Sequence, residues 1–268
     1  MNPLFEVFDG GDFILTSYRD IEEPMARMEI YYEDPSQEAA ARACLSAALA
    51  IVGVKTEIQE ATIPDEDWKL SYRRHFKTEQ IGEHLTIRPP WEPEPTDGRL
   101  VITLDPGMAF GTGKHETTRA CLEYIDACAK EGLSFLDMGC GSGILSIAAA
   151  KLGYQPVSGF DVDQEAVTAS EENATLNGVQ VDYCKYALGG KVRKAWTPAD
   201  VVAANILGPL LIRFVDEITP TVRKNLIISG ILTELYEEVL AVYLKAGFTE
   251  ISRKTYGEWT TGLLERKA

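Results

Sequence analysis

Residues 134–163, SFLDMGCGSGILSIAAAKLGYQPVSGFDVD, open on a short apolar run, Phe135-Leu136, that meets an acid at Asp137. Three glycines then alternate at Gly139, Gly141 and Gly143. Residues 144–152 carry apolar side chains at helical spacing among strong helix formers, and Gly153 stops them. A second strand is expected over 156–160, ending in Asp161-Val162-Asp163. Strand, glycine turn, helix, strand and acid make half of a nucleotide-binding sheet. Glycine lets the backbone come close to a ligand at the mouth of a helix, and an acid ending the second strand can bind ribose hydroxyls.

The dinucleotide fingerprint G-x-G-x-x-G fails in both frames, because Ile144 and Ser146 stand where the last glycine belongs. The G-x-G-x-G form, with Asp161 following in register, instead resembles the first two motifs of class I S-adenosyl-L-methionine (AdoMet) methyltransferases. AdoMet has no phosphate, so such a turn need only clear room for the methionine moiety and the ribose.

At 268 residues the chain can bury a sizeable core, and one large domain plus a small one is the expected division. A formal net charge of −15 argues against sequence-independent nucleic-acid binding, which needs clustered Lys and Arg. Five cysteines without C-x-x-C spacing, and no signal-peptide pattern, read as free thiols in a reducing cytoplasm. No apolar run approaches the ~18 residues of a membrane span. The three histidines, His75, His84 and His115, lie at no metal-ligand spacing, so no metal site is expected.

Taken in order, residues 1–63 read as a small α+β unit, with strands at 4–8, 13–18 and 27–32, a helix at 39–52 and a strand at 55–63. Residues 64–77 carry Trp68, Tyr72 and Phe76 on one helical face and read as a linker, with Arg73, Arg74 and His75 on a solvated face or as a basic handle. Residues 78–268 form the larger domain. It opens with strands at 84–88 and 99–104 around a proline-rich turn. The segment 105–118, DPGMAFGTGKHETT, precedes a helix to 130 and imitates a phosphate-binding P-loop. It is not one, since Met108 and His115 replace the required glycine and hydroxyl residue. Beyond Asp163 the expected elements are a helix at 164–176, a strand at 181–186, a strand at 200–207 and a helix at 209–222. A strand at 225–229, a helix at 234–246 and an antiparallel hairpin of 248–255 with 260–265 complete the chain.

Four stretches together specify a family: Phe110-Gly111-Thr112-Gly113-Lys114-His115-Glu116-Thr117-Thr118, Asp137-Met138-Gly139-Cys140-Gly141-Ser142-Gly143, Ala204-Asn205-Ile206-Leu207, and Ser229-Gly230-Ile231-Leu232. From about Asp67 to Glu265 the chain resembles the ribosomal protein L11 methyltransferase family. The resemblance implies an α/β, Rossmann-like class I methyltransferase with a seven-stranded sheet and a small N-terminal substrate-recognition domain, ferredoxin-like or reduced. The small domain departs from the family pattern, since only Asp9-Gly10-Gly11-Asp12 separates its first two expected strands. The implied reaction is methylation of lysine side chains and the N-terminal amine of ribosomal protein L11, in the bacterial cytoplasm; a monomer is expected. Thr118, Gly139, Asp161 and Asn205 are the implied AdoMet contacts.

Methyl transfer to an amine is an in-line displacement at a sulfonium carbon, and AdoMet brings its own leaving group. Lysine's reference pKa is about 10.4, so presenting it neutral at pH 7 costs roughly 4–5 kcal/mol unless the site lowers that value. A desolvated pocket beside a sulfonium lowers it, because like charges disfavour ammonium. Asn205, at the expected end of the fourth strand of the sheet, is the candidate catalytic residue: its side-chain oxygen can accept from the incoming amine or from the methionine amino group. Capping the helix at 209 is its alternative role. His115 is either a proton acceptor or an organiser of its loop, and Glu116, Glu258 and Trp259 either line the amine channel or serve surface and core. Asp163 reads as the N-cap of the helix at 164. The rivals are an AdoMet-dependent enzyme for another protein lysine or a small-molecule amine, a nicotinamide-dependent oxidoreductase, and a non-catalytic binding module.

Overall fold

The computed structural model describes residues 14–19, 26–31, 35–51, 58, 77–104, 115–190 and 196–267. The chain divides into two compact units, Met1–Asp65 and Glu66–Ala268.

In the first unit β1 (Ile14–Arg19) pairs antiparallel with β2 (Ala26–Tyr31). A 3-10 turn at Pro35–Gln37 then leads into α1 (Glu38–Ile51). Alanine-rich sequence favours this helix, and Glu38 places a negative charge at its positive end. The strand expected at 4–8 lies outside the described residues, and the strand expected at 55–63 and the helical linker expected at 64–77 lie almost wholly outside them.

The second unit carries two sheets. The smaller has β3 (Glu79–Ile81) antiparallel to β4 (Leu85–Arg88), and β4 parallel to β5 (Leu100–Thr103). Sequence reading anticipates only β4 and β5, because three residues are too few to show alternation. What fixes β3 is distant in the chain. Asp126, in α2 (Glu116–Ala127), accepts from the backbone N–H groups of Glu83 and His84 at 2.6 and 3.1 Å and meets His84 Nδ1 at 2.7 Å. A side chain at Gly82 would lie 2.2 Å from that carboxylate.

The larger sheet contains β6 (Phe135–Met138), β7 (Val157–Asp161), β8 (Asp182–Lys185), β9 (Ala199–Asn205), β10 (Val222–Leu232), β11 (Phe248–Tyr256) and β12 (Trp259–Arg266). Its order is β11-β12-β10-β9-β6-β7-β8, with five parallel strands and the β11–β12 hairpin antiparallel at one side. Helices cover both faces, so strand residues divide by parity. Phe135, Val201, Ala203 and Ile227 pack in one core with α2, α3 (Ile144–Lys151) and α4 (Gln164–Leu176). Leu136, Val202, Ala204 and Leu226 pack in the other with Leu211, Ile218 and Tyr243 of the helices that follow β9.

Those helices correct one expectation. Residues 209–222 form no single helix but α5 (Gly208–Arg213), α6 (Val215–Ile218) and a 3-10 turn at Thr219–Thr221. Phe214 leaves helical geometry at φ −107°, and Val222 pairs with Ala199, so β10 begins three residues before the expected 225 and runs to Leu232. The last helix is α7 (Tyr236–Lys245).

Candidate functional site

The carboxyl ends of β6, β7 and β9 open into a cavity of about 800 Å³. Its walls include Gly139 and Gly141 of the glycine turn, Phe160, Asp161 and Val162 at the end of β7, the inner face of α4, residues 186–188 after β8, and Asn205-Ile206.

The turn needs its glycines. Gly139, Gly141 and Gly143 hold φ of +74°, +53° and +78°, a region other L-residues rarely enter. A Cβ on Gly139 would lie 2.7 Å from Ile206 Cγ2, and one on Gly143 would lie 2.6 Å from the Tyr183 hydroxyl. The Gly139 and Cys140 N–H groups both donate to the Phe160 carbonyl, at 2.9 and 3.0 Å. Asp161 accepts from the Gly141 N–H at 3.0 Å and from the Asp163 N–H at 3.0 Å. From α4, Ser170 donates to the Gly141 carbonyl and Asn173 to the Ser142 carbonyl, each at 2.9 Å. Sequence reading missed these two residues; their signal was a pair of small polar side chains three apart on the inner face of the helix.

Beneath the turn, Asp137 is fully buried. One of its oxygens accepts from the Ser146 N–H at 3.1 Å, and the other has no hydrogen-bond partner among the described residues. Burial pushes its pKa up to about 7, opposed by the Ser146 bonds and reinforced by the nearby Asp161 charge.

Asn205 ends β9 and lines the cavity. It caps no helix: α5 starts after Leu207, without a side-chain cap. Thr118 is buried in the first turn of α2 and is not among the residues lining the cavity. That turn is nonetheless tied to the ligand edge of the sheet. Ser229 donates to the Thr117 carbonyl at 3.4 Å, and Ser229 is paired with Asn205 across β10 and β9. His115 organises the helix start as its N-cap, with Nδ1 2.8 Å from the Thr117 hydroxyl, and its ring meets Trp259 edge-on at 5.1 Å. Asp163 caps α4 through the Glu165 N–H at 3.0 Å. Residues 110–114 of the glycine-rich segment lie outside the described residues.

Gly230 is a further residue whose role local pattern did not show. It sits at φ +77° in a bulge of β10, and a Cβ there would lie 2.4 Å from the Ile206 carbonyl oxygen. Its bare backbone thus supports the segment that carries Asn205. On the other side Phe160 stacks on Trp196 at 4.8 Å, with Tyr186 edge-on to both, giving the cavity an apolar aromatic wall.

The family model for ribosomal protein L11 methyltransferase matches residues 13–267. This chain belongs to that family. The match reaches back through the first unit, further than the resemblance read from residues 67–265. Ribosomal protein L11 methyltransferases of Caldanaerobacter subterraneus subsp. tengcongensis and Geobacter sulfurreducens are 39% and 44% identical over 226 and 203 residues, or 83% and 74% of this chain. Those stretches span 71% and 66% of the relatives' own lengths. The crystal structure of a ribosomal protein L11 methylase from Lactobacillus delbrueckii subsp. bulgaricus superposes with a TM-score of 0.66 at 32% identity, covering 72% of this chain and all of that one. The fold is the class I, Rossmann-like methyltransferase fold, and the enzyme class is AdoMet-dependent methyltransferase. The site fits that cosubstrate. Three glycines at positive φ remove the side chains that would fill the turn, and the Asp161 carboxylate at the end of β7 lines the cavity as an acceptor of the kind ribose hydroxyls require.

Proposed function

We propose that the enzyme transfers methyl groups from AdoMet to the lysine side-chain amines and the N-terminal amine of ribosomal protein L11. The observation that carries this reading is the family match over residues 13–267, in a chain whose glycine turn and Asp161 are joined and open to the cavity. AdoMet supplies an electrophilic methyl group and its own leaving group. Gly139 and Gly141 leave room for its methionine end, Asp161 accepts from its ribose, and Thr118 contributes from the α2 side. Asn205 orients the reacting amine or the methionine amino group through its side-chain oxygen, and holding both reactants in one cavity raises the effective concentration of the pair. Residues 1–63 recognise the protein substrate, residues 64–77 link, and residues 78–268 catalyse. The enzyme works as a cytoplasmic monomer.

A different amine, on another protein or a small molecule, is the second reading. What favours it is that the matched stretches span only 66–71% of the length of the relatives. Incubation of the purified enzyme with radiolabelled AdoMet and purified L11, beside a mixture of soluble proteins, separates the two. Label in L11, with mass shifts in multiples of one methyl, supports the first; label only in other species overturns it.

A further inference from the structure

Among the described residues, the charge that lines the cavity is of one sign. Its described lining includes four carboxylic acids, Asp161, Asp163, Glu165 and Glu172, and no Lys, Arg or His. Asp161 is engaged by the Gly141 and Asp163 N–H groups, and Asp163 caps α4. Glu165 and Glu172 have no such task. Seven residues apart, they lie two helical turns from each other on the face of α4 that lines the cavity. Both are exposed, and neither side chain makes an ion pair among the described residues.

AdoMet combines a carboxylate, an ammonium and a sulfonium, so it carries one net positive charge. Once the methyl group has left for a neutral amine, the bonding pair stays on sulfur and the remaining thioether, S-adenosylhomocysteine, is neutral overall with nearly the same shape. The geometry points to Glu165 and Glu172 as specificity-determining residues that draw in the cationic cosubstrate and hold the neutral product less firmly. Turnover itself then weakens the hold on the molecule that must leave. This inference rests on the AdoMet reading of the cavity. Because both carboxylates face solvent, their effect is modest and screened by salt, a signature that recognition by shape alone lacks.

The test measures the affinity of the purified protein for AdoMet and for S-adenosylhomocysteine by titration calorimetry, at low and at high ionic strength. Between the two salt conditions, AdoMet affinity falls about fivefold and that of the thioether less than about twofold. In the Glu165→Gln/Glu172→Gln double variant the salt dependence for AdoMet shrinks toward that of the thioether, Asp161 and Asp163 keeping a remainder, and the thioether's own affinity, unchanged from the parent, reports an intact cavity. Equal salt dependence of the two ligands in the parent protein overturns the inference, as does an unchanged AdoMet dependence in the double variant. A parent protein that binds neither ligand removes the cosubstrate reading itself, and the inference with it.

Discussion

The backbone N–H of Gly141 donates to the carboxylate of Asp161 at 3.0 Å, across twenty residues of sequence. The end of β7 therefore holds the turn that follows β6, and the acid that faces the cavity also keeps its floor in shape. Ser170 and Asn173 hold the same turn from α4.

Removing that carboxylate should cost more than one ligand contact. In Asp161→Ala the Gly141 and Asp163 N–H groups both lose their acceptor. A hydrogen bond to a charged group is worth about 1.5–3 kcal/mol, so AdoMet affinity should fall at least about tenfold. Titration calorimetry reads this directly, and unchanged affinity would remove Asp161 from the site.

Two glycines at similar φ separate backbone strain from crowding. Gly139 and Gly98 lie at +74° and +79°, yet a Cβ on Gly98 meets nothing within 4 Å while one on Gly139 meets Ile206 at 2.7 Å. Each substitution by alanine should cost about 1–2 kcal/mol for the left-handed backbone. Gly139→Ala should lose about 1–3 kcal/mol more through overpacking. Urea denaturation of both variants checks the difference, and equal losses would show that Ile206 yields freely.

Asp137 should make stability depend on pH in a defined direction. Its carboxyl titrates at about 7 in the folded protein, against about 3.9 in an unfolded chain. Between those values the folded state holds a proton that the unfolded state has released, so stability falls as pH rises. The contribution is whole below the unfolded value and lost once pH has passed the folded one. The stability of the parent protein relative to Asp137→Asn should therefore decline between about pH 5 and about pH 8. A difference constant across that range would mean that Asp137 is ionised throughout.

Asn205 should matter for transfer more than for folding. It lines the cavity and caps no helix. With AdoMet and L11 saturating, Asn205→Ala should slow methyl transfer by roughly 10–100-fold, the range for one lost orienting or charge-stabilising group. Single-turnover rates measure it, and a variant as fast as the parent would leave Asn205 without a catalytic part.

Local chemistry made much of the fold legible. The helix at 164–176 is read to the residue because Asp163 caps one end and Asn177-Gly178 closes the other. The glycine turn and the acid that ends the next strand follow from spacing, since that region folds on itself, while the choice of Asp161 over Asp163 came from the family resemblance. Three features escaped because distant parts of the chain impose them: β3 is fixed by Asp126, Gly230 by the Ile206 carbonyl, and the break at Phe214 by the pairing of Val222 with Ala199. The role of Thr118 came from the family motif rather than from spacing, whereas its place in the first turn of α2 was legible in the local pattern.

The position of β12 also bears on how the molecule is made. Residues 259–266 form an interior strand, wedged between β10 and β11, although they are translated after the other six strands of that sheet. Until they emerge from the ribosome, β10 presents a long unpaired edge, the kind of surface that invites chaperones or mispairing with neighbours. A premature stop codon near position 256 would thus yield an unfinished sheet rather than a slightly shorter enzyme.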